Sequence, residues 1–265
     1  MMNDCIKIKN KTKKEKRIIK TYQILLFTII IVLWEVLAKL KIIDTFLFSC
    51  PSEIISLLMK YLKTGEIFKH IYISLLEVVL GLVIGTISGI IIATLLWYSE
   101  TLSKILDPFL VILNALPKTA LAPIMIIWAG TGVTGIVVVA ISILLIITVL
   151  SVYNYFKNIE EEKIKMLQSF NASKTQIFIK LVFPSNIANI INVIKINVGM
   201  AWIGVIVGEF LVSRAGIGYL IMYGGQVFKL DMVMMGVLVL SILAYLMWKA
   251  VDILEKYLLR KRVKS

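Results

Sequence analysis

Charge is scarce in this sequence. Only 17% of its 265 residues are Asp, Glu, Lys or Arg, against about 25% in an ordinary soluble domain. Cysteine is nearly absent: Cys5 and Cys50 are the only two, and neither belongs to a CxxC pair, so no metal or redox motif is present. His70 is the single histidine. That excludes an HExxH metal site, and His70 reads as a hydrogen-bonded polar residue near the start of a helix. The chain also lacks GxxxxGK[ST], the loop that cradles nucleotide phosphates. No metal site and no resident cofactor are expected.

Apolar residues fill the space that charge leaves. They make up 59% of the chain, and the mean hydropathy is +0.92. A soluble fold of this length leaves roughly a quarter of its unfolded surface exposed, so one core could not hide so much apolar area. A cytosolic enzyme, a disordered chain and a disulfide scaffold are excluded. The composition implies an all-α protein that crosses a membrane several times. The net charge of +13 would suggest nucleic acid in a soluble protein; here it reflects topology, because basic residues gather on the cytoplasmic side of spans. No nucleic-acid partner is expected, and membrane lipid is.

After a basic tail (1–21), apolar stretches occupy 22–40, 71–97, 105–128, 135–155, 187–212 and 232–254. Each reaches the ~20 residues that cross the hydrocarbon core, and backbone groups in lipid must be satisfied internally, so these are helices. The first resembles a signal peptide but has no small-residue cleavage site and is read as uncleaved. With both termini inside, the tails (1–21 and 256–265), Lys104 and the loop after Tyr155 hold most of the 29 Lys and Arg residues. The expected location is the plasma membrane, as one transmembrane domain over 22–255. Cys5 and Cys50 then face opposite sides and do not pair, and Cys5 follows no apolar stretch that would mark a lipid anchor. Beyond Pro51, Ile54, Ile55, Leu57, Leu58 and Leu62 predict a helix lying at the outer surface.

Gly81, Gly85, Gly89 and Ala93 recur every four residues and share one face. They form a packing seam, since small residues let helices approach closely in a membrane. Pro108, Pro117 and Pro123 crowd the third span, and proline removes a backbone donor and kinks a helix, so a helix bent around a cavity is expected. Polar groups inside spans are costly and usually face protein or water. Here they are Glu35, Glu77, Asn114, Lys118, Asn192, Lys195, Asn197 and Glu209. Glu77, Lys195 and Lys249 lie where they can snorkel, and Glu209 lies where it can meet a partner. Asn114 with Lys118 and Asn192 with Lys195 are helical neighbours. With Pro117 and Trp202 they are the candidate pathway-lining residues. Lys118 and Lys195 would make that pathway net positive and suit an anion.

The inner loop 157–185 is long for a connector. Glu160, Glu161 and Glu162 favour a helix N-terminus, and Ile164, Leu167 and Phe170 follow at near-helical spacing. Asn171 ends the helix by entering the left-handed conformation. Ser173 and Gln176 form a capping box for a second helix, and Pro184 predicts a break before the fifth span. A short helix, a sharp turn and a second helix make a docking knob for a cytoplasmic partner.

The segment 165–184, KMLQSFNASKTQIFIKLVFP, resembles the EAA loop of ABC importer permease subunits, which reads Glu-Ala-Ala, three residues, Gly, then about a dozen residues to Leu-Pro. PSEIIS (51–56), LDPFLVILNALPKTALAPIMIIWAGTG (106–132) and GMAWIGVIVGEFLVSRAGIGYL (199–220) extend the likeness over about 45–255, to the branch importing nitrate, sulfonates, taurine and similar solutes. The family's Glu falls on Lys165, its alanines on Met166 and Leu167, and its Gly on Asn171. The reversed charge at Lys165 implies a compensating acid on the partner, or altered coupling.

The resemblance implies a type I importer permease fold. It implies two ATP-binding subunits docked on Lys165, Met166, Leu167, Phe170, Asn171, Ala172 and Ser173. It also implies a second permease copy, as a homodimer, and an extracytoplasmic solute-binding protein. ATP is bound by the partner, so this chain is not an enzyme. The alternative is an ATP-independent secondary transporter, which would show inverted repeats and intramembrane ion sites; no repeat is visible.

Overall fold

The computed structural model describes the backbone of residues 2–262, and their side chains except at 2–14, 16, 17, 47 and 258–262. Cys5, the tail cations up to Arg17, and Arg260, Lys261, Arg262 and Lys264 therefore lie outside the described side chains. Among the described residues the regular structure is all helical. The helices are α1 (Met2–Lys39), α2 (Thr45–Phe48), α3 (Pro51–Thr64), α4 (Glu66–Tyr98), α5 (Glu100–Ala115), α6 (Lys118–Ala129) and α7 (Val133–Lys157). After them come α8 (Glu161–Ser169), α9 (Lys174–Ile177), a π-helical turn (Phe178–Val182), α10 (Phe183–Ser185), α11 (Ile187–Val212), α12 (Ile217–Gln226) and α13 (Leu230–Arg262).

Five of these are long and apolar enough to cross a membrane: Ile18–Lys39, α4, α7, α11 and Leu230–Tyr257. Helices α5 and α6 together pass the same test but are bent by 101°. The third stretch is therefore two helices meeting at a sharp break, rather than the single bent helix its prolines predict. Pro108 and Pro123 stay inside helices, and the break falls at Pro117. Leu116 before it is extended, at φ −64° and ψ 134°, because the proline ring disfavours helical backbone in the preceding residue.

Backbone contacts divide the chain into two units, 1–64 with 224–235, and 65–223 with 236–265. In the first, Glu35 accepts the Ser52 N–H at 3.1 Å and pairs with Lys39 at 3.1 Å. This carboxylate therefore ties the end of α1 to the start of α3. The predicted surface helix is α3, whose Ile54 is buried. Cys50 is buried, with its sulfur 3.3 Å from the Ser52 hydroxyl.

The second unit is built on α4, α7 and α11. The small-residue seam packs α4 onto α7: a Cβ at Gly81 would lie 2.9 Å from Ala140 Cβ, and one at Gly89 would lie 2.6 Å from Thr148 Cγ2. From the other side α11 presses Gly204 onto the backbone of Ala140. Val78, Ile136, Leu144, Val198, Trp202 and Val205 fill the space between. Asn197 on α11 donates to the hydroxyls of Thr86 (2.9 Å) and Thr148 (2.8 Å), so one amide joins three helices. Such bonds and close packing hold helices together in lipid, where burial of apolar surface supplies little.

The break before the fifth span falls between Pro184 and Ile187, where α11 begins as the sequence predicts. Pro184 sits within α10, and the chain bends at Asn186, whose amide donates to the Val182 carbonyl at 3.0 Å.

Candidate functional site

Helix α8 is the first helix of the predicted inner-loop corner. Glu160 pairs with Lys163 at 3.0 Å and Glu161 with Lys165 at 3.1 Å along its exposed side. The helix ends where Asn171 takes φ 55°. The Asn171 N–H donates to the Gln168 carbonyl (2.9 Å) and the Ala172 N–H to the Leu167 carbonyl (3.1 Å). That is the Schellman pattern, which satisfies carbonyls a helix end leaves open. The predicted capping box follows, with the Ser173 hydroxyl accepting the Gln176 N–H and the Gln176 side chain accepting the Ser173 N–H. Two helices thus meet at a tight corner with their backbone groups largely internally bonded.

This corner sorts the seven candidate docking residues by direction. Leu167 and Ala172 turn inward, with Ile164, onto the cluster of Phe156, Ile177, Phe178 and Val182. Half-buried there, they anchor the corner to the bundle. Lys165, Met166, Phe170, Asn171 and Ser173 face outward, and Phe170 is 76% exposed at the tip. A Phe so exposed on a polar corner is unpartnered apolar surface. Lys174, which the sequence does not single out, fastens α9 to the end of α4. Its ammonium donates to the Tyr98 carbonyl at 2.8 Å and lies 5.5 Å from the Trp97 ring centroid.

The candidate pathway residues fall on two elements. Asn114, Pro117 and Lys118 surround the break between α5 and α6. There the Lys118 ammonium donates to the Asn114 carbonyl at 3.1 Å and closes the helix end that Pro117, with no N–H, cannot continue. Asn192 is exposed on α11. Lys195 does not snorkel freely: it is held by Asp252 at 2.8 Å and Glu255 at 2.5 Å, over the Trp248 ring. Its positive charge is therefore offset by two carboxylates. Trp202 is 4% exposed and belongs to the core between α4, α7 and α11.

A further polar cluster forms at the other end of the unit, from residues the sequence places apart. His70, Ser74 and Glu77 share a face of α4, and Glu77, expected to snorkel, is 1% exposed. Its carboxyl lies beside that of Glu209, and its buried Oε2 has no hydrogen-bond partner among the described residues. Glu209 accepts the Ser74 hydroxyl and the Gly218 N–H, each at 2.5 Å, and the Tyr219 N–H at 3.3 Å. The Gly216 N–H donates to His70 Nδ1 at 3.0 Å, and the His70 ring stacks on Tyr219. Gly216 has φ +129°, and its Cβ position would overlap the Glu209 carboxyl. The segment 213–219 is thus pinned to the first turns of α4. The sequence signal for this was Ser and Glu inside apolar helices together with glycines at 216 and 218.

Comparison with known proteins gives a consistent result. Residues 81–264 match the family model described as binding-protein-dependent transport system inner membrane component. The chain is 28% identical over 243 residues to the formylaminopyrimidine transport permease protein of Halalkalibacterium halodurans, covering 91% of this chain and 96% of that one. It is 23% identical over 235 residues to the taurine transport system permease protein of Escherichia coli, covering 87% and 86%. Its fold is similar to a chain of the MetNI methionine ABC transporter in an inward-facing form, with TM-score 0.56 and 17% identity over 75% of this chain and 97% of that chain.

Proposed function

The chain belongs to the family of binding-protein-dependent transport system inner membrane components, and from that premise we propose that it is the membrane subunit of an importer driven by ATP hydrolysed on separate subunits. It is a multi-pass membrane permease with the fold of a type I importer. The chain has no phosphate-binding loop of its own, so the energy enters through a partner. The observation that carries this reading is α8: a rigid corner, anchored by Leu167 and Ala172, that presents Phe170 to the outside with Lys165 and Met166 beside it. An ATPase that closes on nucleotide would pull on this corner and transmit the motion to Phe178 and the ends of α4 and α7.

The assembly we propose holds two copies of this chain, two ATPase subunits and an extracytoplasmic solute-binding protein. Both termini lie on the cytoplasmic side with α8, as the distribution of Lys and Arg supports. The solute is a small organic compound such as a sulfonate or taurine, or a related one. This rests on what the relatives are named for, since Lys195 is neutralised by Asp252 and Glu255 and does not add a free positive charge.

The test is co-purification of the C-terminally tagged chain from its native membrane in mild detergent. An ATPase subunit in equal stoichiometry, lost in the Phe170→Ala variant, is the expected result. Lys165→Glu should weaken that association if the partner offers an acid there. Purification of the chain alone in several mild detergents, with uptake persisting in the absence of ATP, would overturn the reading in favour of a secondary transporter.

A further inference from the structure

A cavity of about 350 Å³ opens where α4, α5 and α7 end beside α8. Its walls include Trp97, Ser103, Lys104, Tyr153, Lys157 and Ile164. The hydroxyls of Ser103 and Tyr153 are bonded to each other at 2.5 Å, and Ser103 is 9% exposed, so this polar edge is fixed in the bundle. Two ammonium groups reach the cavity against one carboxylate, Glu100, which Lys104 meets at 3.9 Å. Ser103 and Lys104 also belong to the first turns of the sixteen-residue helix α5, whose N-terminal dipole adds positive potential.

The position matters as much as the charge. Trp97 and Lys157 stand at the ends of membrane spans, the level at which indole rings and lysines meet lipid headgroups. On α4, Ile87, Ile91 and Leu95 are each 54% exposed and four residues apart. This apolar stripe runs along the span and stops one residue before Leu96 of the cavity wall. A free anion would use only the basic end. A molecule with a negative headgroup and long chains would use both.

We propose that this cavity binds the phosphate headgroup of an acidic phospholipid from the leaflet on the α8 side. The phosphate sits between Lys104 and Lys157, the Ser103–Tyr153 hydroxyl pair donates its one remaining proton to it, and the acyl chains lie along Ile87, Ile91 and Leu95. Basic pockets between spans suit such headgroups. Because Ile164 of α8 forms part of the wall, a bound headgroup would brace the base of the docking corner. The site does not depend on the identity of the docked partner and would stand if no ATPase bound.

The experiment is native mass spectrometry of the purified full chain in detergent, titrated with phosphatidylglycerol and phosphatidylcholine of identical chains. Tighter binding of phosphatidylglycerol, by about thirtyfold for two lysines near a headgroup, is expected. Lys104→Gln with Lys157→Gln should abolish that preference, and Lys60→Gln, an exposed lysine on α3, should leave it. Both cavity lysines are exposed, so the double variant should retain its fold and thermal midpoint. Equal binding of the two lipids, a preference that survives the double substitution, or loss of it in Lys60→Gln would overturn the proposal. Displacement of the lipid by millimolar inorganic phosphate would overturn it too, by assigning the cavity to a free anion.

Discussion

Ser74 donates its hydroxyl to Glu209 at 2.5 Å and accepts the Ile217 N–H at 2.7 Å. The hydroxyl thus links α4, the end of α11 and the segment after it. Both residues are buried, at 0% and 1% exposure. Leaving buried polar groups unpaired costs about 1–3 kcal/mol each. Ser74→Ala should therefore destabilise the detergent-purified chain by an amount in that range, read as a lower thermal midpoint. Glu209→Ala should lower it more, because it strands the Ser74 hydroxyl and two backbone N–H groups together. Midpoints from tryptophan fluorescence check both; unchanged values would mean that the segment 213–219 is held by something else.

The glycines at the helix contacts are not equivalent. A Cβ at Gly204 would lie 2.5 Å from the backbone Cα of Ala140, whereas one at Gly85 meets the far end of the Leu144 side chain. A side chain can turn away and a backbone inside a packed helix cannot. Gly204→Ala should cost at the upper part of the about 1–3 kcal/mol typical of overpacking, and Gly85→Ala at the lower part. Leu144→Ala should relieve Gly85→Ala but not Gly204→Ala, and chemical denaturation of the four variants orders them.

Asn171 is a non-glycine residue at φ 55°. Asn171→Gly should leave the corner intact or firm it, since glycine enters this region freely. Asn171→Val places a β-branched side chain there, and left-handed backbone costs roughly 1–2 kcal/mol for ordinary residues. Hydrogen exchange over 167–177 should rise in the valine variant only. Equal exchange in both would show that the corner does not depend on this conformation.

Lys195 should behave as a structural cation. Lys195→Met strips Glu255 of its cation and leaves Asp252 only the exposed Lys256, so the variant should unfold at a lower temperature. Adding Asp252→Asn and Glu255→Gln should recover most of the loss. Solute uptake by the triple variant should match the native chain once expression is equalised. Loss of uptake at restored stability would return Lys195 to the pathway.

Much of the docking corner was legible along the chain. The acidic start of α8, the stop at Asn171 and the Ser173–Gln176 box act over three or four residues, and local chemistry is enough to place them. The geometry of the third stretch was only half legible: three prolines announced a bend, but which of them breaks the helix depends on neighbouring contacts, and only Pro117 does so. Helix α12, ten residues long with three glycines inside it, was not expected. The inward direction of Leu167 and Ala172 needed the positions of Phe156 and Phe178, eleven and six residues away on other elements.

The sequence by itself determined that this is a helical membrane protein with about six spans, which family it resembles, and where its docking corner stands. Those properties follow from hydropathy over spans, from side-chain period and from caps, all of which are local. Only the tertiary structure decided what each intramembrane polar group does. Glu209 finds Ser74 across 135 residues and Lys195 finds Asp252 across 57. A costly polar group in an apolar helix must be satisfied by some neighbour, but which neighbour depends on how α4, α7, α11 and α13 are packed, and no spacing within one helix encodes that.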